Sequence, residues 1–419
     1  MKQYTGAQWL LINLATHYGM DKDVFDDRLT WGRKVLTSLR KARTYSAYTE
    51  LLKPYLNEAD VPEEFAACAI AIWDVLQGNE SNYVVGLDAC NSGAQIMSCM
   101  GRCITGMANT GLLNTGVRPD LYNEITKNID GFEADRSVVK TATVPHLYGS
   151  RAEPKRIFGE GHFPKFLEAC KKTMPMVEFL KDTLIPCWDS KALFHQIILP
   201  DAGVAHMIVI DKVQYTGHFK GFSYNFYVEE NKPIAFPNLG STSLGANTIH
   251  PYDAYILREL ERRCDYNPKT LKYAKHVLEA YLADPTAWTM IGEEDAKLVE
   301  LCKLSALFNI VSFRGIEHVV RGKMGGITVE YAAELLSQIN EVILHSNFKL
   351  KCIHDEFGAL PNYINSMRKH YAHIMANTYK STWVFDIIKH LSGVSYHHML
   401  PPVDPLIVEA ILDNDYAIC

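Results

Sequence analysis

Apolar residues recur at helical spacing over most of the chain and switch to short alternating runs in a few places. Residues 7–53 read mostly as helix, with Trp9, Leu10, Asn13, Leu14 and His17 on one face. Gly19-Met20-Asp21 breaks that pattern, and a second helix runs from about Arg28. Ser81 to Leu87 predicts a strand, because Tyr83, Val84 and Val85 form an aromatic and β-branched run; a helix follows from about Gly93. Residues 117–130 carry a Pro-Asp helix start at Pro119-Asp120. Asp135 then serves as N-cap and Gly149 as left-handed terminator for a helix over 136–149, and 153–185 is helical again. From Ile197 to Phe236 the pattern turns to short strands, with a β-ribbon at about 207–228 and turns at Gly217 and Gly221. Gly245–Asp253 leads into a helix to about Arg263, and 266–345 is helical. The expected fold class is α+β, mainly helical. No repeat, low-complexity tract or linker interrupts it, so one continuous module is expected.

Composition narrows the function. Apolar content of 47 % and charged content of 21 % describe a soluble globular protein, with no run of eighteen apolar residues and no signal-peptide pattern at the start. The ten cysteines include no CxxC pair, and Cys99 with Cys103 fits a buried helix face, which together suggest a reducing cytoplasm. A net charge of −6 excludes a chain that binds DNA by bulk basicity, so nucleic-acid contact must come from local cations or from a partner. His370 with His373, and His397 with His398, lack a third ligand at metal spacing and are expected to be packing or surface residues.

Three segments carry candidate chemistry. In the 136–149 helix Arg136 and Lys140 sit four apart on one face, with Tyr148 about two turns further, a layout that can grip a triphosphate and stack on its base. Taken alone, the same layout fits a solvated helix end. Upstream, Val84–Gln95 delivers Asp88 from the end of the predicted strand; downstream, Cys352–Gly358 places Asp355 at a turn. In this order the three segments resemble motifs A (84–95), B (136–149) and C (352–358) of the single-subunit RNA polymerases of phages and mitochondria.

That resemblance implies two Mg2+ ions held by Asp88 and Asp355, with the Ala89 carbonyl as a further ligand. Nucleotidyl transfer needs two divalent cations about 3.5–4 Å apart, and Mg2+ favours hard oxygen donors. Singly, Asp88 or Asp355 also fits a capping or turn residue. The resemblance further implies that Lys140 neutralises the growing phosphate charge, that Arg136 binds phosphate oxygens, and that Tyr148 with Gly149 closes over the incoming nucleotide. Gly19–Phe25 resembles the segment whose lysine meets the triphosphate, giving Lys22 that role or that of an exposed loop lysine. Gly93 stands where related DNA polymerases block the 2′ hydroxyl with a glutamate, and His250 with Tyr148 resembles the pair that senses the ribose and the minor groove; His250 also fits a satisfied core histidine. The triplet His354-Asp355-Glu356 reads instead like its DNA-polymerase counterpart. Thr141 replaces a second basic residue, and Pro145 inside the helix predicts a kink between Lys140 and Tyr148.

The resemblance runs from about Trp9 to a C-terminal foot at about 400–419. It implies a right-hand polymerase with palm over 1–115 and 251–419, fingers over 116–250, a helical insertion at about 266–345 and a small antiparallel palm sheet. An N-terminal domain, a thumb and the template-gripping DxxGR segment are not found in this sequence. The arrangement resembles the large catalytic subunit of the split, two-subunit middle RNA polymerase of phages that carry a giant virion RNA polymerase. DNA template, RNA product and NTPs are then the ligands. A small second subunit supplying DxxGR and a single-stranded-DNA-binding or promoter-recruiting protein are the implied partners, in the cytoplasm of an infected bacterium. Two rivals stand beside this reading: a DNA polymerase or primase-like enzyme on the same scaffold, and an inactive polymerase fold used as a DNA-binding subunit.

Overall fold

The computed structural model describes residues 1–132, 135–235 and 239–419. It is 60 % helix and 11 % strand, an α+β fold dominated by helices with small antiparallel sheets. Helix α1 (Gly6–Ala15) starts in a reciprocal cap: the Gln8 N–H donates to the Thr5 hydroxyl and the Thr5 N–H to the Gln8 side chain. Helices α2 (Phe25–Leu39), α3 (Tyr45–Glu58) and α4 (Pro62–Leu76) follow. Between α1 and α2, Gly19 takes a φ of 119° that L side chains rarely adopt, which turns the chain into the loop carrying Lys22. Buried Arg28 braces that loop by donating to the carbonyls of Asp21 (2.8 Å) and Asp23 (3.0 Å) and to the Thr16 hydroxyl (3.1 Å).

Strand β1 (Val85–Asp88) is shorter than the predicted 81–87 run and reaches one residue further. A strand extends only where it finds a partner, and the strand opposite it offers four residues. Helices α5 (Ser92–Met100), α6 (Ile104–Asn109), α7 (Leu121–Lys127), α8 (Arg136–Leu147), α9 (Ala152–Thr173) and α10 (Pro175–Leu184) come next. Helix α8 keeps a helical backbone through Pro145, which stands two residues before its end. Gly149 (φ 88°) ends α8 as foreseen: the Ser150 N–H donates to the Pro145 carbonyl (3.0 Å) and the Gly149 N–H to that of His146 (3.0 Å). The break falls instead in α9, at Gly159 (φ 63°).

The single expected ribbon is two hairpins: β2 (Phe194–Ile198) with β3 (Val204–Ile208), and β4 (Ile210–Phe219) with β5 (Phe222–Asn231). Phe236, the expected end of this stretch, lies outside the described residues. Helix α11 (Leu239–Cys264) returns to the main body. Helices α12 (Pro268–Ala283), α13 (Pro285–Ile291), α14 (Ala296–Phe308), α15 (Ile316–Val319) and α16 (Val329–Ile343) follow, and this stretch builds a second core around Leu271, Leu278, Leu298, Leu335 and Val342.

Strands β6 (Lys351–Ile353) and β7 (Glu356–Ala359) complete an antiparallel sheet of order β1-β7-β6, before α17 (Ile364–Lys380), α18 (Trp383–Ser392) and α19 (Pro405–Leu412). Alternation sends Leu87 and Phe357 into the core and leaves Asp88 and Glu356 on the other face. Beneath the sheet the Gln95 amide is fully engaged: it donates to the carbonyls of Thr110 (2.6 Å) and Ala417 (2.9 Å) and accepts from the Tyr371 hydroxyl (2.6 Å). These bonds, an Ala89–Ile418 bridge and a Cys419 N–H donated to the Asp88 carbonyl (2.9 Å) seat the last residues against the end of β1.

Candidate active site

The pairing register sets the site. Asp88 closes β1 opposite Glu356, and Asp355 occupies the two-residue turn just before it. The Ala89 N–H donates to the Asp355 carbonyl at 3.3 Å, so the two acid-bearing segments are joined backbone to backbone. His354, the other turn residue, is held at a φ of 56°, a strained conformation of the kind that gathers at functional sites. On the far side of β1, Asn91 (φ 63°) caps α5 by accepting the Ala94 N–H (3.0 Å) and donates to the Tyr122 hydroxyl (2.9 Å).

Asp88, Asp355 and Glu356 line a cavity of about 900 Å³, and Lys22, Lys140 and Tyr148 line it too. The surrounding protein, then repulsion from Asp355 and Glu356, push the Asp88 carboxyl up to about 6. Burial and Asp355 push Asp253 of α11 up to about 6 as well. Sequence reasoning passed over Asp253, although it lies three residues beyond His250 in a segment already singled out. Glu356 is exposed and reaches over Gly86, where a Cβ would come within 2.1 Å of its Oε1.

Crowded carboxylates whose repulsion goes uncompensated are a donor set that a divalent cation would relieve, and their oxygens suit Mg2+. The Ala89 carbonyl already accepts the Asn91 N–H (2.8 Å), leaving one lone pair for a ligand role. The one compact group of His, Cys and acidic donors among the described residues is elsewhere: His146, Cys170 and Glu178, all buried. There the Lys181 ammonium donates to Glu178 (2.6 Å) and lies 2.8 Å from His146 Nε2, so it already supplies a cation. Nothing in the sequence pattern flagged this network, whose histidine and acid meet only through tertiary packing.

Helix α8 brings the cations. Arg136 is ion-paired with Asp120 and lies over the Tyr122 ring at 5.2 Å. Lys140 is exposed, 6.0 Å from the same ring, and has no ion-pair partner among the described residues. Among the described residues, Lys22 is paired only with its partly exposed neighbour Asp21. Tyr148 meets the His250 ring edge-on at 5.0 Å, and a Cβ on Gly93 would lie 2.9 Å from the Tyr148 hydroxyl. Carboxylates, a free ammonium and an aromatic wall thus share one chamber.

The family model of DNA-dependent RNA polymerase matches residues 2–149. The matched span is similar to that polymerase family and contains Lys22, Asp88, Ala89, Gly93, Arg136, Lys140, Tyr148 and Gly149. Asp355 and His250 lie outside it and join the site through the sheet register and the ring contact. Comparison with curated proteins gives no match. Among the described residues, no helix is long and apolar enough to cross a membrane.

Proposed function

We propose that the chain is the catalytic subunit of a DNA-directed RNA polymerase, with Asp88, Asp355 and the Ala89 carbonyl as ligands of two Mg2+ ions. The observation that carries this reading is the chamber shared by Asp88, Asp355 and Lys140, two of the three inside the polymerase-like span. When bound, such ions activate the RNA 3′ hydroxyl and hold the leaving pyrophosphate. The protein's own groups do the rest. Lys140 offsets charge on the α- and β-phosphates and donates a proton toward the leaving pyrophosphate. Arg136 exchanges Asp120 for phosphate oxygens through its planar fork, and Lys22 meets the far end of the triphosphate from its arginine-braced loop. Tyr148 and Gly149 cover the incoming nucleotide. His250 sets the tilt of the Tyr148 ring, and Gly93 leaves room for the 2′ hydroxyl.

In this reading residues 1–115 and 251–419 form the palm, 116–250 the fingers, 266–345 an insertion and about 400–419 the foot. A net charge of −6 supports a partner subunit that carries DxxGR and cations for the DNA, alongside a single-stranded-DNA-binding or promoter-recruiting protein in the host cytoplasm. Glu356, bent into the chamber beside Asp88, favours a second reading as a DNA polymerase.

Primer extension decides. With template, primer and Mg2+, and with the candidate small subunit present, the chain should add rNTPs in preference to dNTPs. Asp88→Ala and Asp355→Ala should each lower the rate about a thousand-fold, the equivalent of roughly 4 kcal/mol. A clear dNTP preference installs the second reading, and unchanged activity in either variant removes both.

A further inference from the structure

We propose that Cys90 and Cys419 form a redox-active thiol pair, a site that a peroxide converts to a disulfide at the edge of the carboxylate chamber. Their sulfurs lie 3.4 Å apart, and both residues line the cavity. The two backbones are fixed independently of the sulfurs. Ala89 bridges Ile418, the Cys419 N–H donates to the Asp88 carbonyl (2.9 Å), and the Asn91 N–H closes the turn around Cys90 on the Ala89 carbonyl (2.8 Å). Side-chain rotation therefore has only to close the gap from 3.4 Å to the roughly 2 Å of a disulfide.

The other cysteines do not compete. Of the ten, only Cys90, Cys352 and Cys419 are partly exposed. Among the described residues, no other pair of cysteine sulfurs lies within hydrogen-bonding range.

The chemistry balances with hydrogen peroxide as oxidant. One thiol sulfur attacks a peroxide oxygen, the O–O bond breaks, and a sulfenic acid and water form. The second thiol attacks the sulfenic sulfur, the S–S bond forms as the S–O bond breaks, and a second water leaves. Two electrons pass from the sulfurs to the peroxide, and the two thiol hydrogens end in the waters. The new bond would form beside Ala89, whose N–H holds the Asp355 carbonyl, at the junction of both acid-bearing segments.

The test is peptide mapping without reductant after hydrogen peroxide treatment of the full-length chain. The expected product is one dominant cross-linked peptide pair joining residues 90 and 419, two hydrogens lighter than the separate peptides and released by dithiothreitol. Cys90→Ser and Cys419→Ser should each abolish it, which guards against one variant misfolding. Oxidation of Cys352 with no 90–419 cross-link, or a Cys264–Cys352 cross-link in its place, overturns the proposal. Any effect on RNA synthesis rests on the polymerase reading, and there the cross-link should cause a loss that dithiothreitol reverses. A cross-link formed in a chain that synthesises no RNA under either condition counts against that reading alone.

Discussion

Lys181, Glu178 and His146 show how much one residue can depend on its neighbours. The ammonium and the carboxylate are 2.6 Å apart with side-chain exposures of 7 % and 5 %, so neither charge has water to fall back on. Removing one partner of such a pair leaves an uncompensated buried charge, and Lys181→Met is expected to cost about 3–5 kcal/mol, read from the urea midpoint. Burial works against the ionised Glu178, but His146 and Lys181 outweigh it and hold the carboxyl below its ordinary value. A depressed acid stabilises the fold above the unfolded-state value of about 4.3, and that stability is lost as pH falls through the lower folded value. Glu178→Gln should therefore flatten the acid limb of stability below about pH 4. Pattern reading found Arg136, Lys140, Tyr148 and Gly149 because they share one helix and its turn. It missed His146 in the same helix, because the histidine's partners stand on α10, 32 and 35 residues away.

Among the elements, β4 and β5 stand apart from the rest of the molecule. Their register pairs Tyr215 with Phe226 and Phe219 with Phe222, and the Tyr224 ring lies over Gly217, so one face is an aromatic ladder. The tip phenylalanines are 64 % and 77 % exposed, so the ladder buries little apolar area. Replacing 212–229 with a two-residue Asn-Gly turn should change the unfolding free energy by no more than about 0.5 kcal/mol, measured by chemical denaturation. Alternation made strands legible here, but not the division into two hairpins, which falls at Val209 inside the ribbon expected at about 207–228. The side chain of Val209 is buried and its N–H donates to the Leu193 carbonyl (2.9 Å), which continues the β2–β3 register by one pair and parts that hairpin from β4. The strand ending in Asp88 was legible from its β-branched run, and the turn at Asp355 from its resemblance to motif C. Their register was not, because it depends on a partner strand far along the chain.

Over the whole molecule, two cores share one chain: the main body, and the stretch holding Leu271 to Val342. The helical period announced those helices, but a separate core is a property of packing that periodicity does not encode. With a net charge of −6, binding of the isolated chain to duplex DNA should be weak and should fall steeply as salt rises. If a partner supplies the missing cations, the complex should make more phosphate contacts. Its plot of log affinity against log salt should then be steeper by about 0.9 for each added contact, as measured by fluorescence anisotropy; equal slopes would rule out an electrostatic contribution from the partner.

The pairing of Asp88 with Glu356 also governs which length changes this hairpin tolerates. Losing one residue from either strand would exchange the two faces beyond that point, turning acids inward and Leu87 or Phe357 outward. Insertions or deletions here should survive in multiples of two, and odd ones should abolish folding and chemistry together.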